Sequence, residues 1–324
     1  MSLKTQLKEK FGWDVTALPA WSDNTMPNVV TDLVGNSEFL DMLTLEEGVK
    51  GSKEISLLSA NIKLQAKANC QQSPDGAVVF TEVELKTKPL YAGIKFCNED
   101  LNGKITQILN VLGMKRQNGQ LPAELEDIIM AYLLKILQRK AQRLVLLGDT
   151  MSMDPELLLF DGLVKIIDTN ADVVELVSTE TEINATNGYK IAFEMYKNVN
   201  AELWDDEIPV YLFTGRTEAL NILEAWNSAN PYNVVAIEEV GSHMRFTLPL
   251  SGIEVMTLPE LNGKNKMYAI PLSLTFLGTD LIEDVSFEIK YDDYNDELKA
   301  EAKFRLGTQI IWGKYFLRLK LAAS

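Results

Sequence analysis

An α+β fold is predicted, on three observations. A period-two hairpin spans roughly residues 62–88, a helical period is sustained over about 121–147, and the last third is rich in strand patterns after a mixed middle. Strands and helices are therefore grouped in blocks and do not alternate in the regular rhythm of a parallel α/β sheet. With 324 residues, 46% of them hydrophobic and 24% charged, the chain can bury one large core or two to three small ones.

Residues 1 to about 50 have no sustained period. They carry Pro19, Pro27, Gly35 and the scattered aromatics Phe11, Trp13 and Trp21. Such a segment is too apolar for a free tail and too irregular for a domain of its own, so an arm lying on another surface is expected. The period then becomes two: Ile62, Leu64, Ala66 and Ala68 alternate with Lys63, Gln65 and Lys67. Gln71 to Gly76 is a turn by composition, with Pro74 setting φ and Gly76 free to take positive φ. Alternation resumes over Val79 to Lys88, with Val79, Thr81, Val83 and Leu85 on one side. The hairpin arms are roughly 10 residues, or about 35 Å. A lone two-stranded hairpin is marginal in water, so this one should rest against something else.

The helix signal follows. Pro122 stands at a plausible first-turn position, and Glu124, Glu126 and Asp127 sit where the macrodipole favours acids. Leu125, Ile128, Ile129, Tyr132, Leu133, Ile136 and Leu137 recur at helical spacing up to about Leu147 and Gly148. The middle reads as mixed. It has an amphipathic helix before Ile167, a helix after Asn184 or Thr186, a buried strand at Pro209–Thr214, a helix at Glu218–Trp226, and strands at Ile253–Thr257 and Met267–Leu277. The end reads as strands at Val285–Tyr291, Lys299–Arg305 and Thr308–Leu321, broken at Gly307 and Gly313.

Charge and composition exclude several classes. The net charge is −15, which repels phosphate backbones and argues against specific nucleic-acid binding. Between Asp280 and Lys299 eight acids face two lysines, whereas from Glu301 to Ser324 five bases face one acid. Blocks of −6 and +4 suit subunits docking side by side, or two solvated faces. The longest apolar runs fall far short of the roughly 20 residues a bilayer needs, so no membrane association is expected. The N-terminus lacks a secretory signal's apolar stretch, and Cys70 and Cys97 make no disulfide framework, which points to folding in a reducing cytoplasm.

The residues of an enzyme are hard to assemble. His243 stands alone, and no GxGxxG, Walker loop, HExxH or GxSxG occurs. Asp168 to Asp172 begins like a calcium loop but has Val173 where glycine is needed and Thr179 where glutamate is needed. The run Asp292-Asp293-Tyr294-Asn295-Asp296 reads as a strand-to-strand turn, and Asp205-Asp206 supports no acid/base assignment. No catalytic residue, cofactor or metal is assigned, and no enzymatic activity is expected.

The order of arm, long hairpin, spine helix, α/β unit and β-rich end resembles the major capsid proteins of tailed bacteriophages, the fold first described for a Hong Kong phage. Local stretches resemble it too: Lys86 to Leu101, a strand running through a polar turn into a short helix; the helix end Arg143 to Asp149, followed by Phe160-Asp161-Gly162-Leu163; and Glu301 to Gln309 before the apolar Tyr315 to Leu321. The resemblance implies an N-terminal arm over 1–50 and an extended loop over 51–92. It implies a peripheral domain of 93–154 and 266–324 with the spine helix at about 121–147, and an axial domain of 155–265.

By that resemblance the chain is a self-assembling subunit of pentamers and hexamers in an icosahedral virion capsid, built in the host bacterial cytoplasm around double-stranded DNA. The DNA would meet an acidic inner wall without specific binding. Because the chain begins at the arm, scaffolding is expected as a separate protein or not at all, beside a portal and a possible decoration protein. Extended-loop contacts to a neighbour fall on Lys63, Lys67, Ser73, Pro74, Asp75, Gly76 and Lys86, and candidate intersubunit charges on Asp292, Asp293, Asp296, Arg305 and Arg318. Some relatives cross-link Lys to Asn; Lys63, Lys67, Lys86 and Asn295 exist in suitable regions, but such residue types are too common to assign that chemistry. Two other readings stay open: an encapsulin-like compartment shell of the same fold, and a soluble α/β enzyme using carboxylates of the middle segment.

Overall fold

The structure, a computed structural model, describes residues 38–62, 76–97, 123–205, 207–232, 235–240, 243–280, 286–292 and 297–322. In chain order these form α1 (Glu38–Asp41), β1 (Thr44–Glu46), β2 (Ser52–Ile62), β3 (Gly76–Lys86) and β4 (Lys88–Cys97). Next come α2 (Ala123–Leu147), α3 (Leu163–Thr169), β5 (Val174–Val177), α4 (Gly188–Lys197) and α5 (Glu202–Asp205). Then follow β6 (Val210–Thr214), α6 (Arg216–Ala229), β7 (Glu238–Val240), β8 (His243–Thr247) and β9 (Glu254–Thr257). The last strands are β10 (Met267–Pro271), β11 (Thr275–Thr279), β12 (Ser286–Asp292), β13 (Glu297–Ile310) and β14 (Leu317–Lys320).

The strands form three sheets. A seven-stranded sheet runs β5-β14-β10-β6-β9-β8-β7, parallel at β5/β14 and β6/β9 and antiparallel elsewhere. A five-stranded sheet runs β1-β11-β13-β12, with β4 also on β13, and β2 and β3 make a sheet of their own. In the larger sheet all five residues of β10 are buried, as are four of five in β6. That is why both read as continuous apolar runs: a strand covered on both faces has no wet side to alternate with. The α1 segment is tied into this core by Phe39, fully buried and edge-to-face with Phe213 at 5.4 Å between ring centroids. Burying a side chain of that size stabilises the fold by about 1.5–3 kcal/mol.

Helix α2 runs 25 residues, about 38 Å, over nearly the span its periodicity predicts. Its last turns bury Ala141, Leu144 and Val145, the i, i+3, i+4 stripe of an amphipathic helix. It stops at Gly148, whose amide still donates to the Leu144 carbonyl at 2.8 Å. A Cβ on Gly148 would stand 2.3 Å from the Phe160 carbonyl oxygen, so only glycine lets the returning chain approach this closely.

The first hairpin arm is Ser52–Ile62, and the expected alternation at residues 63–68 lies outside the described residues. Two expectations are revised. Met267–Leu277 is two strands: β10 ends at Pro271, which has no amide to donate, and a 3₁₀ turn at Leu272–Leu274 carries the chain into the other sheet. Gly307 does not break a strand, because β13 runs unbroken from Glu297 to Ile310. Within residues 266–324, β11, β12 and β13 lie in the five-stranded sheet, while β10 and β14 pair in the seven-stranded one. Among the described residues no helix is long and apolar enough to cross a membrane.

Candidate assembly surfaces

The hairpin β2–β3 pairs in one register from Ser52 opposite Lys86 to Ile62 opposite Gly76. Its sides follow the alternation read from the sequence: Leu85 is fully buried, while Phe80, Glu82, Glu84 and Lys86 face solvent. Thr87, buried at the base, donates its hydroxyl to the Val49 carbonyl at 2.7 Å and its amide to the Gly51 carbonyl at 2.8 Å. The base sits on two glycines of the five-stranded sheet. A Cβ on Gly307 would fall 2.0 Å from the Lys86 carbonyl oxygen, and one on Gly278 would fall 2.8 Å from Thr87 Cγ2. Gln309 adds a hydrogen bond from its side-chain amide to the Glu84 carbonyl at 3.1 Å. The hairpin is thus clamped at its foot, and within its sheet β2 and β3 pair only with each other.

A second surface lies where α2 ends. The loop from Asp149 to Asp161 folds back so that the Gly162 amide donates to the Gly148 carbonyl at 2.8 Å and Asp149 to the Leu157 carbonyl at 2.8 Å. Lys165 bridges Asp149 and Asp161. Asp161 Oδ1 also accepts the amide and the hydroxyl of Thr150, both at 2.9 Å. Burial pushes the Asp161 carboxyl up, but these hydrogen bonds and Lys165 outweigh it and hold it below the usual carboxylate range. On the other side Arg143 meets Asp154 at 3.0 Å and Lys140 meets Glu156 at 2.5 Å. Beside the loop a cleft of about 450 Å³ opens between α2 and β4, floored by Leu90, Ala141, Leu144 and Phe304 and edged by Leu157 and Leu159.

The residues singled out in the sequence fall into different settings. Lys63, Lys67, Ser73, Pro74 and Asp75 lie outside the described residues; Gly76 opens β3, and the exposed Lys86 pairs with Glu84 at 2.8 Å. Asp292 ends β12 opposite Glu297, and Asp293 and Asp296 lie outside the described residues. Arg305 stands 3.6 Å from the buried Asp280. Arg318 is engaged within the chain, with Glu175 at 2.7 Å and with the Asp168 carbonyl. The Arg305–Asp280 pair joins the two charge blocks within the chain, whereas the β12–β13 register sets Glu288 opposite Glu301 and Lys290 opposite Lys299. His243 is buried with Nδ1 2.8 Å from the Thr257 carbonyl, and Asp168 holds Lys266 at 2.6 Å and the Tyr268 hydroxyl at 3.1 Å. Among the described residues no group of three or more His, Cys, Asp or Glu could hold a metal ion. Sequence reading missed the loop with Met151 and Met153; its signal was the four-residue apolar run Leu157 to Phe160, shortly after Pro155.

Comparison with solved structures identifies this arrangement as the phage major capsid fold. The chain is similar to one in the satellite phage P4 procapsid that includes the size determination protein, with a TM-score of 0.59 and 8% identity over 91% of this chain and 99% of that one. It is also similar to a chain of Gordonia phage Cozz (TM-score 0.57, 14% identity, 88% of this chain and 86% of that). A third is in the capsid of Myoviridae phage XM1 (0.55, 11%, 88% and 92%). No protein-family model matches the chain, and no curated protein sequence matches it.

Proposed function

We propose that this chain is the major structural subunit of an icosahedral phage capsid, assembling with copies of itself into pentamers and hexamers that enclose double-stranded DNA. The observation that carries this reading is the hairpin: two 11-residue strands that, among the described residues, make a sheet of their own, are anchored at the foot and present Phe80 at 71% exposure. A pair of strands is marginal alone, and a neighbouring subunit supplies the surface it lacks. On this reading residues 1–50 are the arm, 51–92 the extended loop that lies over a neighbour, and α2 the spine of the peripheral region. Lys63, Lys67, Lys86 and the loop tip Ser73 to Gly76 contact the adjacent subunit, with Asp292, Asp293 and Asp296 as candidate charges at subunit edges. Scaffolding and portal proteins are separate partners, assembly takes place in the host bacterial cytoplasm, and the chain does no catalysis.

The test is negative-stain electron microscopy of the purified protein beside size-exclusion chromatography. Closed shells, tubes or capsomer rings are expected, with or without a co-expressed scaffolding protein. A monomer or dimer that never assembles under either condition would overturn the reading.

A further inference from the structure

We propose that the dipeptide Asn262–Gly263 is a deamidation site that the fold keeps closed, with Thr217 and Glu218 as the closing residues. An asparagine followed by glycine is the pair most open to this reaction, because glycine has no side chain to hinder the attack. The Gly263 nitrogen loses its proton and bonds to Cγ of Asn262, the Cγ–Nδ2 bond breaks, and ammonia leaves with the proton. Water then opens the succinimide ring at either carbonyl, leaving aspartate or isoaspartate. Asn262 and Gly263 are both exposed, so water and hydroxide reach them.

The turn opposes the attack at each step. Leu261 to Lys264 is a type II turn: Asn262 has φ −57° and ψ 128°, Gly263 has φ +71°, and the Lys264 amide donates to the Leu261 carbonyl at 3.1 Å. At that ψ the Gly263 nitrogen is rotated about a third of a revolution from the position beside Cβ, so the five-membered ring cannot close until the turn opens. The side chain is pinned as well. Asn262 Oδ1 accepts the Thr217 amide at 2.9 Å and the Thr217 hydroxyl at 2.8 Å, in the first turn of α6. The Gly263 amide donates to Glu218 Oε2 at 3.4 Å, and Glu218, 1% exposed, also accepts the Asn265 amide at 2.8 Å. A carboxylate is far too weak a base to take an amide proton, and its charge repels the amide anion that the attack needs. Gly215 lets the turn lie this close, since a Cβ there would stand 2.7 Å from Asn262 Cα. Isoaspartate lengthens the backbone at that point and cannot be refitted against Gly215, so a turn once opened and modified stays marked.

The experiment is incubation in mild alkali followed by peptide mapping by mass spectrometry, on the folded protein and on the same protein in urea. The sequence supplies an internal standard, because Asn102-Gly103-Lys104 repeats the tripeptide Asn262-Gly263-Lys264. In urea the two asparagines should deamidate at the same rate, and in the folded protein Asn262 should react at least about tenfold more slowly than in urea. Thr217→Val, at an exposed position, should stay folded by circular dichroism and speed the folded-state reaction about fivefold, the weight of one hydrogen bond. Glu218→Gln should speed it too; a slower reaction there would make Glu218 the base of the attack and overturn the proposal. Asn262 reacting as fast folded as in urea, or a folded Thr217→Val variant with the parent's rate, would also overturn it. The capsid reading stands apart from all of these outcomes.

Discussion

Gly307 sits under the foot of the hairpin with no room for a side chain, since its Cβ would meet the backbone of Lys86 and not a movable side chain. Gly307→Ala should destabilise the subunit by about 1–3 kcal/mol, the usual cost of forcing atoms into a packed site, measured as a lower urea midpoint. The carboxylates at the end of α2 give a second residue-level expectation. Asp161 and Asp149 are both held below their ordinary range, Asp149 first by its hydrogen bond from Lys165. A carboxylate with a lowered folded pKa contributes stability that is complete above its unfolded value, roughly 4, and is lost as the pH falls through the folded value. The melting temperature should therefore be flat from neutral pH down to about 5 and fall below 4. Asp161→Asn should melt lower at pH 7 and show a shallower fall in acid. An unchanged acid slope in that variant would remove Asp161 from the account.

The elements show which features local sequence encodes. Helix α2 was legible almost to the residue because its acids, its 3.6-residue stripe and the glycine that ends it are all local signals. Strands β6 and β10 were legible as apolar runs, but a run cannot say which sheet it joins. The switch at Pro271 to Leu274 depends on partners that are distant in the chain: β6 for β10, and β13 for β11. Gly307 looked like punctuation for a similar reason, since its role is to admit Lys86, which lies far back in sequence. Of the candidate surfaces, the second hairpin arm was legible from its alternation, whereas the first arm at Ser52–Ile62 was not, and the loop after α2 needed the three-dimensional return of Gly162 to Gly148. The hairpin carries the element-level prediction. Phe80→Ser, on an exposed strand position, should change subunit stability by no more than about 0.5 kcal/mol while reducing the yield of particles. Deleting Gln71 to Gly76 and closing the tip should behave the same way. Normal particles from both variants would take the hairpin out of assembly.

For the whole molecule the question is which electrostatic term governs the meeting of subunits. From sequence alone, the −6 and +4 blocks invited the idea that they pair across an interface, and salt would then weaken assembly. Within the chain one ion pair, Arg305 with Asp280, already joins those blocks, and Arg318 is committed to Glu175. What remains at long range is the net charge of −15 on every copy. Repulsion between such copies acts over a Debye length of about 30 Å at 0.01 M salt and only about 8 Å at 0.15 M. Raising salt over that interval should therefore promote assembly, read as a lower protein concentration at which particles appear in light scattering. At higher salt the gain should level off, because on the capsid reading apolar contact of the kind the exposed Phe80 offers then holds subunits together. Assembly that weakens steadily with salt would mean instead that opposite charges meet between subunits, and would return the acidic turn at Asp292 to Asp296 to the interface.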